Sequence, residues 1–178
     1  LAAADPRVAR VLVCTPDKDL AQVVDDVAGI VQVDRRREIT YDTAAVVEKF
    51  GVQPESIPDW LALVGDTADG IPGLTGWGAK SSAAILARYG HLEAIPADPA
   101  EWDVAVRGAT KLAATLVARR EDAELYRLLA TLDLAAPVMD DVEDLCWTGP
   151  ADHFEDICSH LDAPRLAEMA RRLAADRN

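Results

Sequence analysis

The sequence predicts an α/β fold, the remnant of a parallel sheet over residues 1–41 followed by a mainly helical region. Two observations carry that expectation. Within residues 10–34, two short β-rich apolar runs flank one short helical stretch, the pattern of a parallel α/β unit. From Asp42 onward the apolar residues recur at helical spacing, and glycines close the segments.

The elements follow in order. Residues 10–15 (RVLVCT) have the length and apolar content of a strand buried on both faces. Residues 20–24 can form a short helix with an aspartate at its cap. Ile30–Asp34 is the second strand, and Arg35, Arg36 and Arg37 form a solvated turn after it. Thr43–Phe50 reads as a helix stopped by Gly51, and residues 58–64 as a short helix ending at Gly65. Gly70, Pro72, Gly73, Gly76 and Gly78 then require a tight loop. Ala79–Tyr89 is a helix closed by Gly90. Further helices are expected at residues 108–119, 121–132, 152–161 and 164–174, with room for one short strand at 138–147. In the helix over 121–132, Tyr126 with Leu125, Leu128 and Leu129 reads as core.

Composition narrows the classes. At 178 residues, one compact domain, or one plus a small helical extension, is expected, and 50% hydrophobic residues suffice for a core. The longest apolar run, residues 112–118, is far too short to cross a bilayer, and no secretory signal pattern is present. Three cysteines without C-x-x-C spacing point to a reduced, cytoplasmic compartment. The first residue is Leu1 rather than Met, so the chain is expected to be a fragment that lacks its N-terminal portion. The net charge of −13 taken alone disfavours a polyanionic partner. Its distribution does not. Residues 70–92 and 104–120 contain no acid and carry Lys80, Arg88, Arg107, Lys111, Arg119 and Arg120. Grouped basic residues are the footprint of phosphate-backbone binding; solvated helix faces are the alternative.

Three constellations bear on chemistry. Asp17 and Asp19 follow the first strand, at the strand end where open parallel sheets bind ligands. They can aim two carboxylates into one crevice, or serve as a helix cap and a surface acid. An EF-hand does not continue from them. Asp66 and Asp69, at i,i+3, fall on one side of a helical turn, or form a turn into the glycine loop. Four such oxygen ligands suit Mg²⁺ or Mn²⁺ and a phosphoryl-transfer site, which needs several carboxylates to hold two ions. The third constellation is Gly73-Leu-Thr75-Gly76-Trp-Gly78-Ala-Lys80-Ser81, a glycine loop before a helix N-terminus, where backbone N–H groups can approach a phosphate. It is not a Walker A loop. Trp77 within it reads as core packing, with a stacking surface as the alternative. His153 and His160 lie two helical turns apart, ~10.5 Å, too far to share one metal.

Together, Thr15-Pro-Asp17-Lys-Asp19-Leu and Gly65-Asp66-Thr-Ala-Asp69-Gly-Ile-Pro-Gly73-Leu-Thr75-Gly76-Trp-Gly78-Ala-Lys80 resemble the bacterial 5′-3′ exonuclease and flap endonuclease family, which includes the 5′-nuclease domain of DNA polymerase I. The resemblance covers most of this chain but only the C-terminal part of a full family member. It implies a PIN-like nuclease core at residues 1–65 and a helical DNA-binding region at 66–178. It implies a helix-three-turn-helix, related to the helix-hairpin-helix, at about 66–92. Asp17, Asp19, Asp66 and Asp69 would be catalytic metal ligands for Mg²⁺ or Mn²⁺ in a two-metal site built partly upstream of Leu1. Gly73, Thr75, Gly76, Gly78, Lys80, Ser81, Arg107 and Lys111 would contact duplex DNA, with K⁺ at the loop carbonyls. The implied activity is hydrolysis of DNA phosphodiesters near 5′ ends or at 5′ flaps, in replication and repair. The alternative is a truncated, non-catalytic duplex-DNA-binding module.

Overall fold

The structure, a computed structural model, describes residues 2–138 and 140–176. It is a mixed α/β architecture in which a three-stranded sheet is followed by helices. Strands β1 (Val11–Val13), β2 (Ile30–Asp34) and β3 (Ile39–Tyr41) lie in the order β1-β2-β3. β1 and β2 are parallel, with Val11 opposite Ile30, as the strand-helix-strand pattern requires. β1 is not buried on both faces as expected. It is an edge strand of this sheet, and Leu12 is 56% exposed. β2, the central strand, buries Val31, Gln32 and Asp34. β3 runs antiparallel to β2 and was not anticipated, because three residues are too few to display alternation. Its entry turn is shaped by Asp34, whose Oδ1 accepts from the backbone N–H groups of Arg36 and Arg37, both at 3.0 Å. Arg35, Arg36 and Arg37 are exposed, as expected of a solvated turn.

The connection after β1 is a 3-10 helix over Lys18–Val23 rather than a helix over 20–24. It starts earlier because the Asp17 side chain caps it, accepting from the Asp19 N–H. Helix α1 (Thr43–Phe50) is capped by Asp42 and ends at Gly51 in the left-handed conformation, and α2 (Ile57–Val64) ends at Gly65. α3 spans Ala79–Tyr89, α4 Ala109–Ala118 and α5 Arg120–Ala130.

Helix α2 is the centre of the core, buried from Ile57 to Leu63 and packed by α3 and α5. α5 turns its small residues inward, burying Ala123 and Ala130. The core reading of Leu125, Leu128 and Leu129 is therefore corrected: they are 50%, 71% and 67% exposed, while Tyr126 is partly buried. Close approach of two helix backbones selects alanine at the seam and places the longer leucines outside it.

Two compact units are present, Leu1–Ala136 and Pro137–Asn178. The division expected after residue 65 falls within the first. The second contains α6 (Phe154–His160) packed on α7 (Pro164–Ala175), with Cys158 and Ala167 buried. The strand expected at residues 138–147 is absent among the described residues. A 3-10 turn over Val142–Leu145 stands there instead, because Asp141 and Asp144 form a reciprocal cap that directs the chain into a turn. Among the described residues, no helix is long and apolar enough to cross a membrane.

Candidate metal centre and nucleic-acid interface

The first half of the site is held by two glutamines. Gln32, on β2 and 1% exposed, donates through Nε2 to the Thr15 carbonyl at 3.0 Å and also to the Asp17 carbonyl. Gln22 Nε2 donates to the carbonyls of Asp19 at 2.8 Å and Ala130 at 2.9 Å, while its Oε1 accepts from the Leu132 N–H at 3.0 Å. The loop that carries Asp17 is thus tied to the central strand, and the turn that carries Asp19 to the end of α5.

The second half begins where α2 stops. Asp66 and Ile71 exchange two backbone hydrogen bonds, both 2.7 Å, closing a tight turn, and the Asp66 Oδ1 accepts from the Ala68 N–H at 3.1 Å. The carboxylates of Asp66 and Asp69 therefore meet across a bridged turn that leads into the glycine loop, the second of the two arrangements their spacing allows, and not along a helical turn.

The two halves converge. Carboxylate oxygens of Asp19, Asp66 and Asp69 all lie within 4.8 Å of one another. Asp17 stands outside that trio but lines the same cavity of about 340 Å³, together with Asp66, Asp69, Lys18 and Lys49. Lys18 forms an ion pair with Asp66 Oδ2. Burial, with the neighbouring charges of Asp17, Asp69 and Asp66, pushes the Asp19 carboxyl up to about 6. Burial also acts to raise Asp66, but the ammonium of Lys18 and the Ala68 N–H outweigh it and hold that carboxyl below its ordinary range. Asp69 is raised, by burial and then by Asp66.

The donor set fits a divalent cation. Asp19 Oδ1 is buried without a hydrogen-bond partner and belongs to a group whose mutual repulsion raises its proton affinity. A buried, unpartnered carboxylate oxygen is costly unless something positive reaches it. The ligands are all oxygens, suited to a hard ion. No other group of three ligating side chains is gathered among the described residues.

The glycine loop lies directly after this turn. Gly65 and Gly73 are in van der Waals contact: a Cβ on Gly73, at φ +69°, would stand 2.6 Å from Gly65 N and from the Val64 carbonyl carbon. The Leu74 N–H donates to the Leu63 carbonyl at 2.9 Å. Trp77 is buried, donates to the Leu112 carbonyl at 3.2 Å and packs 6.3 Å from Trp102, so its reading as core stands. Gly78 caps α3, and Ser81 is engaged with it. Its Oγ accepts from the Gly78 N–H at 3.2 Å and donates to the Gly78 carbonyl at 3.0 Å.

A cavity of about 550 Å³ brings together Gly76, Gly78, Lys80, Ser81 and Arg107. Thr75 is exposed on the loop, Gly73 is buried beneath it, and Lys111 is exposed on α4 outside that cavity. The six basic residues of the acid-free stretches are not equivalent. Arg88 pairs with Asp103 at 2.7 Å, and Arg119 and Arg120 pair with Asp122 and Glu124, both at 2.8 Å. Only Lys80, Arg107 and Lys111 are without an ion pair among the described residues. Local acid-free sequence thus overstates the basic surface, because acids flanking the second stretch pair with basic residues of both.

Sequence reasoning did not assign Lys18, Lys49, Gln22 or Gln32. Lys18, between two aspartates, was in view. The other three each engage residues that the tertiary structure brings near: Ala130 and Leu132 for Gln22, Thr15 and Asp17 for Gln32, and Tyr41 for Lys49.

Comparison with known proteins gives one consistent result. The family model described as 5′-3′ exonuclease, C-terminal SAM fold, matches residues 52–153. The 5′-3′ exonuclease of Aquifex aeolicus is 36% identical over 121 residues, which cover 67% of this chain and 38% of that protein. DNA polymerase I of Pseudomonas aeruginosa is 40% identical over 130 residues, covering 68% of this chain and 13% of that protein. Among solved structures, a bacteriophage T5 5′-exonuclease with bound zinc aligns with a TM-score of 0.56 and 23% identity, over 68% of this chain and 42% of that one. A T5 flap endonuclease in complex with DNA and metal ions aligns with a TM-score of 0.55 and 21% identity, over the same shares. These two likenesses concern the fold. The chain therefore spans about two fifths of the exonuclease that it matches.

Proposed function

The chain belongs to the 5′-3′ exonuclease family, and from that premise we propose that it is the part of a 5′ nuclease that holds metal and grips duplex DNA. The reaction is hydrolysis of DNA phosphodiesters near 5′ ends or at 5′ flaps, in replication and repair, and hence in the cytoplasm of a bacterial cell. One observation carries this reading: Asp19, Asp66 and Asp69 converge around a buried carboxylate oxygen that has no protein partner. Asp19, Asp66 and Asp69, with Asp17 beside them, would hold Mg²⁺ or Mn²⁺. When bound, such ions supply Lewis acidity and lower the pKa of a coordinated water.

The chain's own groups do the rest. Gln22 and Gln32 fix the backbone that carries Asp19 and Asp17. Lys18 balances the charge of Asp66. Next to them, the exposed Gly76 and Gly78, with Lys80 and Arg107, form a concave basic surface for a phosphate backbone, and Lys111 extends it along α4. Carbonyls of the same loop are the place for a K⁺ ion that bridges to phosphate, and the loop with its flanking helices would act as a helix-three-turn-helix. The T5 relative, solved with DNA and metal ions, supports the same reading.

The test is cleavage of a 5′-flap duplex by the complete protein with Mg²⁺ or Mn²⁺. Asp66→Asn combined with Asp69→Asn is expected to lower the rate at least ~100-fold, and undiminished cleavage overturns the assignment. A second reading is that these 178 residues bind duplex DNA without cutting it. It is favoured by the gathering of three carboxylates among the described residues, where a two-ion site needs more. Turnover by the purified 178-residue chain, abolished by the same double substitution, would decide against that second reading.

A further inference from the structure

Lys49 belongs to neither aspartate motif. It sits in the last turn of α1 and is exposed, yet it lines the same cavity as Asp17, Asp66 and Asp69. Its Nζ stands 4.2 Å from the centroid of the Tyr41 ring and 4.9 Å from that of Phe50. Both rings are anchored. Tyr41 is buried at the end of β3, and Phe50 packs edge-on against Trp60 at 5.3 Å. The cavity's two lysines are employed differently. Lys18 is bound to Asp66, whereas Lys49 has no carboxylate within ion-pairing distance among the described residues, although three aspartates line its cavity.

Two π faces attract an ammonium without neutralising it. The arrangement thus presents a full positive charge, fixed in place and unspent, at the rim of an acidic pocket. In a site that works on a phosphodiester, the group suited to that charge is a phosphate oxygen. Resting on the nuclease reading above, we propose that Lys49 is a phosphate subsite of the metal cavity: it contacts a non-bridging oxygen of the DNA strand lying there, with Tyr41 and Phe50 as its cage.

The experiment measures affinity of the 178-residue chain for a 5′-flap duplex in EDTA, by fluorescence anisotropy at about 50 and 200 mM salt. Lys49→Met, which keeps the apolar stem, is expected to weaken binding ~5–10-fold and to reduce the salt slope by about one. Lys49→Arg should bind like the unaltered chain. Tyr41→Leu should weaken binding ~2–3-fold alone and have no further effect in the Lys49→Met background, as coupling through the cage requires. A lysine that merely complements the C-terminus of α1 would lower melting temperature on replacement and leave affinity and slope unchanged. That result overturns the proposal. Lys80→Ala, measured in parallel, separates the two levels. If Lys80→Ala weakens binding and Lys49→Met does not, the subsite is wrong and duplex binding at the glycine loop stands. If the unaltered chain has no salt-dependent affinity for DNA, both fall.

Discussion

Asp19 is under two opposed demands: its backbone is clamped by Gln22, while its side chain is pressed toward two other carboxylates. Without a cation the second demand costs stability, and the unpartnered Oδ1 is its visible sign. Asp19→Asn is accordingly expected to stabilise the metal-free protein by about 1 kcal/mol, a figure kept small because the side chain is only partly buried. On the proposed function Mg²⁺ or Mn²⁺ would raise the melting temperature of the unaltered chain, and the same variant should lose that rise. Thermal melts in EDTA and in excess metal check both outcomes, and a destabilised Asp19→Asn protein in EDTA would contradict this account. Gln22→Leu removes three hydrogen bonds at once and is expected to cost about 2–3 kcal/mol in denaturant unfolding. It should also weaken metal binding. The aspartates were legible in the sequence because each pair sits within one loop. Gln22 was not: its partner Ala130 lies 108 residues away, and no local pattern announces such a contact.

At the scale of elements, the glycine loop separates into positions that hold the fold and positions that face outward. Gly73 combines φ +69° with backbone atoms 2.6–2.7 Å from an added Cβ, whereas Gly78 has an ordinary φ of −118° and open space around it. Gly73→Ala should therefore destabilise the protein by about 3 kcal/mol or more, since backbone cannot yield as a flexible side chain does. Gly78→Ala should melt within about 0.5 kcal/mol of the unaltered chain, and on the proposed function it should bind duplex DNA less tightly, its methyl standing in the open space left for a phosphate. Unfolding curves and DNA titrations of the two variants test this division. From sequence, all these glycines looked alike. α1 and α3 were legible to the residue, because Gly51 and Gly90 stop them and Asp42 caps the first. The facing of α5 was not, since its apolar residues include more leucine than the seam with α2 admits.

Across the whole molecule, the acidic surplus is partly locked into ion pairs that join distant elements. Asp59, 1% exposed in the first turn of α2, receives the His91 ring at 2.9 Å, the Leu92 N–H at 3.1 Å and Arg127 of α5 at 3.2 Å, and Arg127 also pairs with Glu93. Arg127→Met leaves Asp59 short of its main counter-charge and is expected to cost about 2–3 kcal/mol in unfolding experiments. Glu93 is held below its ordinary range by its own backbone N–H and, against burial, by Arg127. A carboxyl depressed by folding contributes stability that is complete above its unfolded pKa and fades as pH falls through its folded value. The stability difference between the unaltered protein and Glu93→Gln should thus be constant near neutrality and shrink below about pH 4.3. A net charge of −13 said little of this, because spatial pairing and not the total decides which charges remain for a ligand. The contact between Gly65 and Gly73 has a last consequence at this scale. It leaves no room between the turn that bears Asp66 and Asp69 and the glycine loop, so the two pack backbone against backbone. On the proposed function, that contact would fix the distance between the carboxylates that hold metal and the phosphates that the loop grips, and a side chain at either glycine would change it.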